Sequence, residues 1–101
     1  MIYRMIYGRG YVIKPYSYKR AEELGVKIRP SEKEHKKIDV LNTEGEVLAS
    51  IGELGMKDYP TYLKEDGKKI ADKRRKAYRS RHAKNISRED TPGFFAGNIL
   101  W

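Results

Sequence analysis

Residues 68–84, KKIADKRRKAYRSRHAK, hold nine Lys or Arg side chains against a single acid, Asp72. A stretch of that composition cannot enter an interior, because buried cations need partners that it does not carry. It fits only a surface element with a thin apolar line. Ile70, Ala71, Ala77 and Tyr78, joined by Arg74, recur at helical spacing. This predicts a helix from about Lys68 to Lys84 that packs on one side only. Asp66-Gly67 offers its start and Asn85 its end. The block's net charge equals the +8 of the whole chain. Such a surface attracts phosphate, acidic protein or anionic lipid. A solvated basic face without a partner is the plainer alternative.

The rest of the chain must therefore supply the core. It has 101 residues, 39% hydrophobic and 36% charged, with a mean hydropathy of −0.81. A chain this short makes one small domain, or one domain with an arm. Without cysteine there is no disulfide framework and no thiolate nucleophile. No apolar run exceeds three residues, so neither a membrane span nor a signal-peptide core is expected.

Residues 1–18, MIYRMIYGRGYVIKPYSY, carry five tyrosines and no acid. Gly8, Gly10 and Pro15 interrupt them, which argues against a helix. They read as an extended, Tyr-rich arm, laid either on a neighbouring subunit or on the chain's own domain. Residues 19–101 read as a small α+β domain. Ser17 can cap a short helix through Leu24, which Gly25 stops. Val26 to Pro30 is extended, and Ser31 to Lys37 looks like a charged linker. Ile38, Val40, Val47, Ala49 and Ile51 alternate around Thr43-Glu44-Gly45-Glu46, the clearest hairpin signal. Two strands alone are marginal, so a helix or a third strand must cover them. The Phe94–Trp101 segment holds both Phe residues and the only Trp, and should dock as a clasp between helix and hairpin. Trp101, Leu100, Phe94, Tyr78, Tyr59 and Ile51 are the expected core anchors.

Chemistry-bearing patterns are sparse. His35 and His82 lie far apart with no patterned further ligands. The serines fit no nucleophile elbow, and Gly8-Arg9-Gly10 lacks the rest of a phosphate loop. No enzyme, metal or cofactor is expected. The basic helix suits salt-dependent binding of phosphates. It offers no Asn or Gln before Asn85 with which to read bases, so any nucleic-acid binding would be sequence-neutral. Lys73, Arg75, Lys76, Arg79 and Lys84 are expected to face a partner, with Tyr3, Tyr7 and Tyr11 as arm contacts. Arg74 and Arg81 are expected to pair internally with Asp58 or backbone carbonyls.

The ordered set Ile51-Gly52, Gly55, Asp58-Tyr59-Pro60-Thr61-Tyr62, Gly67, Ala71-Asp72, Arg74-Arg75, Tyr78, Arg81-His82, Gly93 and Ile99-Leu100-Trp101 resembles a small uncharacterised domain family. That family occurs in large double-stranded DNA viruses and some bacteriophages. The resemblance covers roughly residues 19–101, and Glu53 and Met56 depart from its usual small or aromatic residues. It marks Asp58, Tyr59, Arg74, Tyr78, Arg81, His82 and Trp101 as structural motif positions. It implies a viral origin and a place in the virion, reached from the interior of the host cell during assembly. The expected role is a minor capsid component that bridges subunits. The alternative is a non-specific DNA-binding or genome-packaging protein. No activity or cofactor follows from the resemblance.

Overall fold

A computed structural model describes residues 11–101. Tyr3 and Tyr7, expected as arm contacts, lie outside the described residues. Within them the fold is α+β. Helix α1 (Pro15–Leu24) leads into strands β1 (Lys27–Pro30), β2 (Lys36–Leu41) and β3 (Val47–Glu53). Helices α2 (Tyr59–Asp66), α3 (Lys68–Arg81), α4 (Ala83–Ile86) and α5 (Pro92–Ile99) follow. The strands form an antiparallel meander in the order β1-β2-β3.

The hairpin pairs as its alternation predicts. Ile38 faces Ile51, and Val40 faces both Ala49 and, across the other edge, Ile28. Asn42 organises the turn, its side-chain oxygen accepting from the N–H groups of Glu44 and Glu46, while Gly45 takes φ +89°. The expected linker is shorter than Ser31 to Lys37: Lys36 and Lys37 already belong to β2, and Ser31 is buried.

The arm also contracts. Pro15 does not interrupt a helix but begins one, since at the first helical position its missing N–H leaves no bond unmade. Ser17 is not the cap. It lies inside α1, buried, and its hydroxyl donates to the Ile99 carbonyl at 3.0 Å. Ile13 and Ala21 join the main apolar cluster, so residues 11–18 belong to the domain. Gly25 stops α1 as expected, in the left-handed region at φ 76°.

That cluster sits between one face of the sheet and helices α1 and α5. Ile38, Val40, Ala49 and Ile51 meet Phe95, Ile99 and Leu100. The C-terminal aromatic segment covers the sheet as expected, and does so as a helix, whereas the basic helix packs chiefly on α2. Thr91 caps α5, accepting from the Phe94 N–H at 3.2 Å, and Pro92 occupies its first position. Gly97 seats α5 on α4, because a Cβ there would overlap the Ile86 side chain.

Leu100, Tyr59 and Ile51 are buried as expected, whereas Trp101, Phe94 and Tyr78 are only partly so. Phe95, 2% exposed, is the larger anchor. Phe95→Ala should lower stability by about 3–5 kcal/mol, and Trp101→Ala by clearly less. Urea denaturation of the two variants against the parent measures both.

Candidate binding surface of the basic helix

Helix α3 turns by about one residue from its expected phase. Ala71 is fully buried, and Arg75, Tyr78, Arg79 and His82 are half-buried along the same side, whereas Ile70 is 45% exposed and Ala77 is also exposed. The expected division of the arginines is consequently reversed. Arg75 and Arg79 turn inward. The Arg75 guanidinium lies 4.2 Å from the centre of the Tyr59 ring, and Arg79 donates to the Gly97 carbonyl at 2.7 Å. Arg74 and Arg81 are exposed and pair with no carboxylate among the described residues. Arg74 reaches only the Tyr62 ring, at 5.7 Å. Lys73 and Lys76 face outward as expected, and so does Lys84, although α3 ends at Arg81 and not near Lys84, which belongs to the short α4. The reason for the reversal is that Ala71, and not the larger Ile70, is small enough to let α3 approach its neighbours closely.

Asp58 does not pair with an arginine. It is 1% exposed and accepts a bond from Lys37 Nζ at 2.8 Å and one from the Tyr11 hydroxyl at 2.6 Å. Its other oxygen caps α2, accepting from the Thr61 N–H at 3.0 Å. Lys37 Nζ also donates to the Met56 carbonyl at 2.6 Å. Tyr11 is thus an internal partner, not an arm contact. Burial alone raises the Asp58 carboxyl pKa, but the bonds from Lys37, Thr61 and Tyr11 outweigh it and hold the group below the ordinary carboxylate value. Burial and the same carboxylate push the Tyr11 phenol far up. Asp39 is a second such centre, where burial is outweighed by bonds from Ser31, Ser50, the Glu32 N–H and Arg29. Asp72, the one acid of the basic block, accepts from Lys68 and Tyr59.

The motif aromatics form a ladder. Tyr78 stacks on His82 at 4.3 Å and on Trp101 at 4.3 Å, the latter pair within 5° of parallel. Tyr62 leans on Trp101 at 6.3 Å. These rings, with Ala77, Leu100, Arg74 and Arg81, line a cleft of about 380 Å³ between α2, α3 and the end of α5. Gly52 forms part of its base at φ +83°, where a Cβ would meet Leu100 at 2.8 Å and Lys37 at 2.9 Å. The cleft's acids are already matched: Glu53 by Lys36 at 3.3 Å and Asp58 by Lys37. Arg74 and Arg81 are the cleft's cations without such a match among the described residues.

Sequence reasoning reached the aromatic and arginine positions but gave no role to Lys37 or Tyr62 and did not find the cleft itself. The one available signal was Lys37 beside Ile38 in a strand whose other residues are mostly apolar.

Among the described residues, no cluster of His, Asp and Glu is arranged to hold a metal. None of their helices is long and apolar enough to cross a membrane. No family model, curated protein or solved structure matches the chain.

Two measurements check this arrangement. Arg79→Ala should cost about 1.5–3 kcal/mol, the worth of a hydrogen bond from a charged donor, whereas Arg81→Gln should stay within about 0.5 kcal/mol of the parent. Asp58→Asn strands a buried ammonium and should cost roughly 3–5 kcal/mol at neutral pH. The folded Asp58 carboxyl binds a proton less readily than the unfolded one. Its contribution is therefore complete above the unfolded value of about 3.9, and is lost as the pH falls through the lower folded value. Denaturation midpoints from pH 7 down to pH 2.5 should fall less steeply in Asp58→Asn than in the parent, with Asp39 retaining part of the slope.

Proposed function

We propose that the protein is a non-catalytic structural component of a DNA-virus particle, bridging capsid subunits through its basic helix. The observation that carries the adhesive part is the outward face of α3, continued by Lys84 of α4. Lys69, Lys73, Lys76, Arg81 and Lys84 are exposed, while the domain's buried or half-buried acids, Asp39, Asp58 and Asp72, are held by internal donors. With Asp72, the block's one acid, held by Lys68 and Tyr59, this face presents cations that attract acidic partners. The viral setting rests on the motif resemblance through Asp58-Tyr59, Arg74-Arg75, Tyr78, Arg81-His82 and Leu100-Trp101. A second contact, from residues 1–10 with Tyr3 and Tyr7, would make the protein a bridge. Many weak copies in a symmetric shell would then hold by avidity.

A second reading, sequence-neutral nucleic-acid binding, is favoured by one specific observation: the aromatic cleft with two arginines at its edge.

The test is the protein's stoichiometry in purified particles. The native chain should be present at a fixed copy number. A variant with Lys69, Lys73, Lys76, Arg81 and Lys84 changed to Gln should fold with an unchanged melting temperature yet be missing from particles. Full incorporation of that variant, or absence of the native chain from particles, overturns the structural reading.

A further inference from the structure

We infer that the cleft between α2, α3 and the end of α5 is a seat for one base of a single-stranded nucleic acid, with the flanking phosphates on Arg74 and Arg81. The inference rests on the nucleic-acid reading above and gives it a site.

Three features point to this ligand together. The first is the aromatic wall. Tyr62, Tyr78 and Trp101 are each only partly buried, and all three rings line the cleft, Tyr62 in tilted contact with Trp101 and Trp101 stacked on Tyr78. A planar base can lie on the ring surface that faces the cleft, because every base has a face that stacks on an aromatic ring. The second is charge. Lys36, Lys37 and Lys57, all at the cleft, are matched by Glu53, Asp58 and the Glu65–Asp66 pair. Arg74 and Arg81 stand one helical repeat of seven apart on α3, on the same side, without a carboxylate among the described residues. Arginine forks suit phosphate oxygens. The third is continuity. Arg74 and Ala77 also line a neighbouring groove of about 260 Å³, with Lys73 and the exposed Ile70. The strand thus has a path from the cleft across α3, with a cation and an apolar contact for the next nucleotide.

A duplex does not satisfy this site, because its stacked, paired bases present no free face to the cleft's rings. An acidic peptide would use the arginines but leave the aromatic wall without a planar partner. No Asn or Gln lines the cleft among the described residues, so it offers no neutral amide to pair with an adenine edge.

Trp101 is the chain's only tryptophan, so its fluorescence reports on the cleft alone. The full chain is titrated with fluorescein-labelled dT12, reading anisotropy for binding and, with unlabelled dT12, Trp101 emission for stacking. Both should change together. Affinity should fall about twentyfold between 50 and 200 mM salt if three phosphates are contacted. Arg74→Ala/Arg81→Ala removes two exposed side chains and should weaken binding tenfold or more, with the circular dichroism spectrum and melting temperature unchanged. Tyr62→Leu should weaken dT12 by a similar factor without changing the salt dependence.

Anisotropy that rises without a change in Trp101 emission, and equally in the double arginine variant, overturns the cleft while leaving nucleic-acid binding to the outer lysines. No binding at 50 mM salt removes both. Blunt duplex DNA that binds as tightly as dT12 and quenches Trp101 equally, or poly-glutamate that displaces dT12 at matched charge, overturns the single-strand assignment.

Discussion

The buried pair of Lys37 and Asp58 governs the assembly of this fold. Each is nearly inaccessible, and each would be costly to bury alone. Their 2.8 Å contact therefore requires β2 and the start of α2 to lie together. Asp58 extends the requirement in two directions. It caps α2 through Thr61, and it receives the Tyr11 hydroxyl from the chain entering α1. A carboxylate with three donors is satisfied in only one arrangement of these elements. The pair's value thus lies in registration as much as in stability. Lys37 also forms part of the cleft, beside Gly52, so the shape of the cleft inherits the same constraint.

The end of α5 shows a related economy. A helix leaves its last carbonyls without internal partners. Here the carbonyls of Gly97, Asn98, Ile99 and Leu100 are met in turn by Arg79 of α3, Arg20 and Ser17 of α1, and the Tyr59 N–H of α2. Two of these donors are cationic, which suits the negative end of the helix dipole. Three helices thereby converge on a single terminus. Trp101 follows directly, and its stacking on Tyr78 is the consequence of a backbone already held on every side.

The legible part of the sequence was the part governed by local rules. The hairpin, the Gly25 stop and the helix beginning at Lys68 follow from alternation, a left-handed glycine and helical spacing. What was not legible depended on tertiary choice. Pro15 reads equally as a helix breaker or a helix starter, and burial of Ile13 decided between them. Phe94–Trp101 carries Gly97 and follows Gly93, and reads as irregular until Thr91 and Pro92 are recognised as a cap and a first residue. The phase of α3 was ambiguous because Ile70 and Ala71 are adjacent. Hydrophobicity favours Ile70 for the interior, but close approach of α2 favours the smaller residue. That one-residue difference moved Arg75 and Arg79 inward and turned Arg74 and Arg81 out.

The division of the cations follows from side-chain chemistry as well as from helix phase. The inward positions of α3 are Arg75 and Arg79, not lysines. A guanidinium is planar and weakly hydrated, so it lies over the Tyr59 ring or donates to a carbonyl without losing as much solvation as an ammonium. The fully outward lysines, Lys69, Lys73 and Lys76, keep their strongly hydrated heads in water and their stems along the helix. Arg74 and Arg81 are the exceptions, guanidinium groups left outside where lysine would serve solubility equally well. They are also the two arginines of α3 that line the aromatic cleft. The fold meets its own needs through Lys37, Arg20 and Arg79, and under the proposed site a planar, anionic ligand would account for the placement of these two.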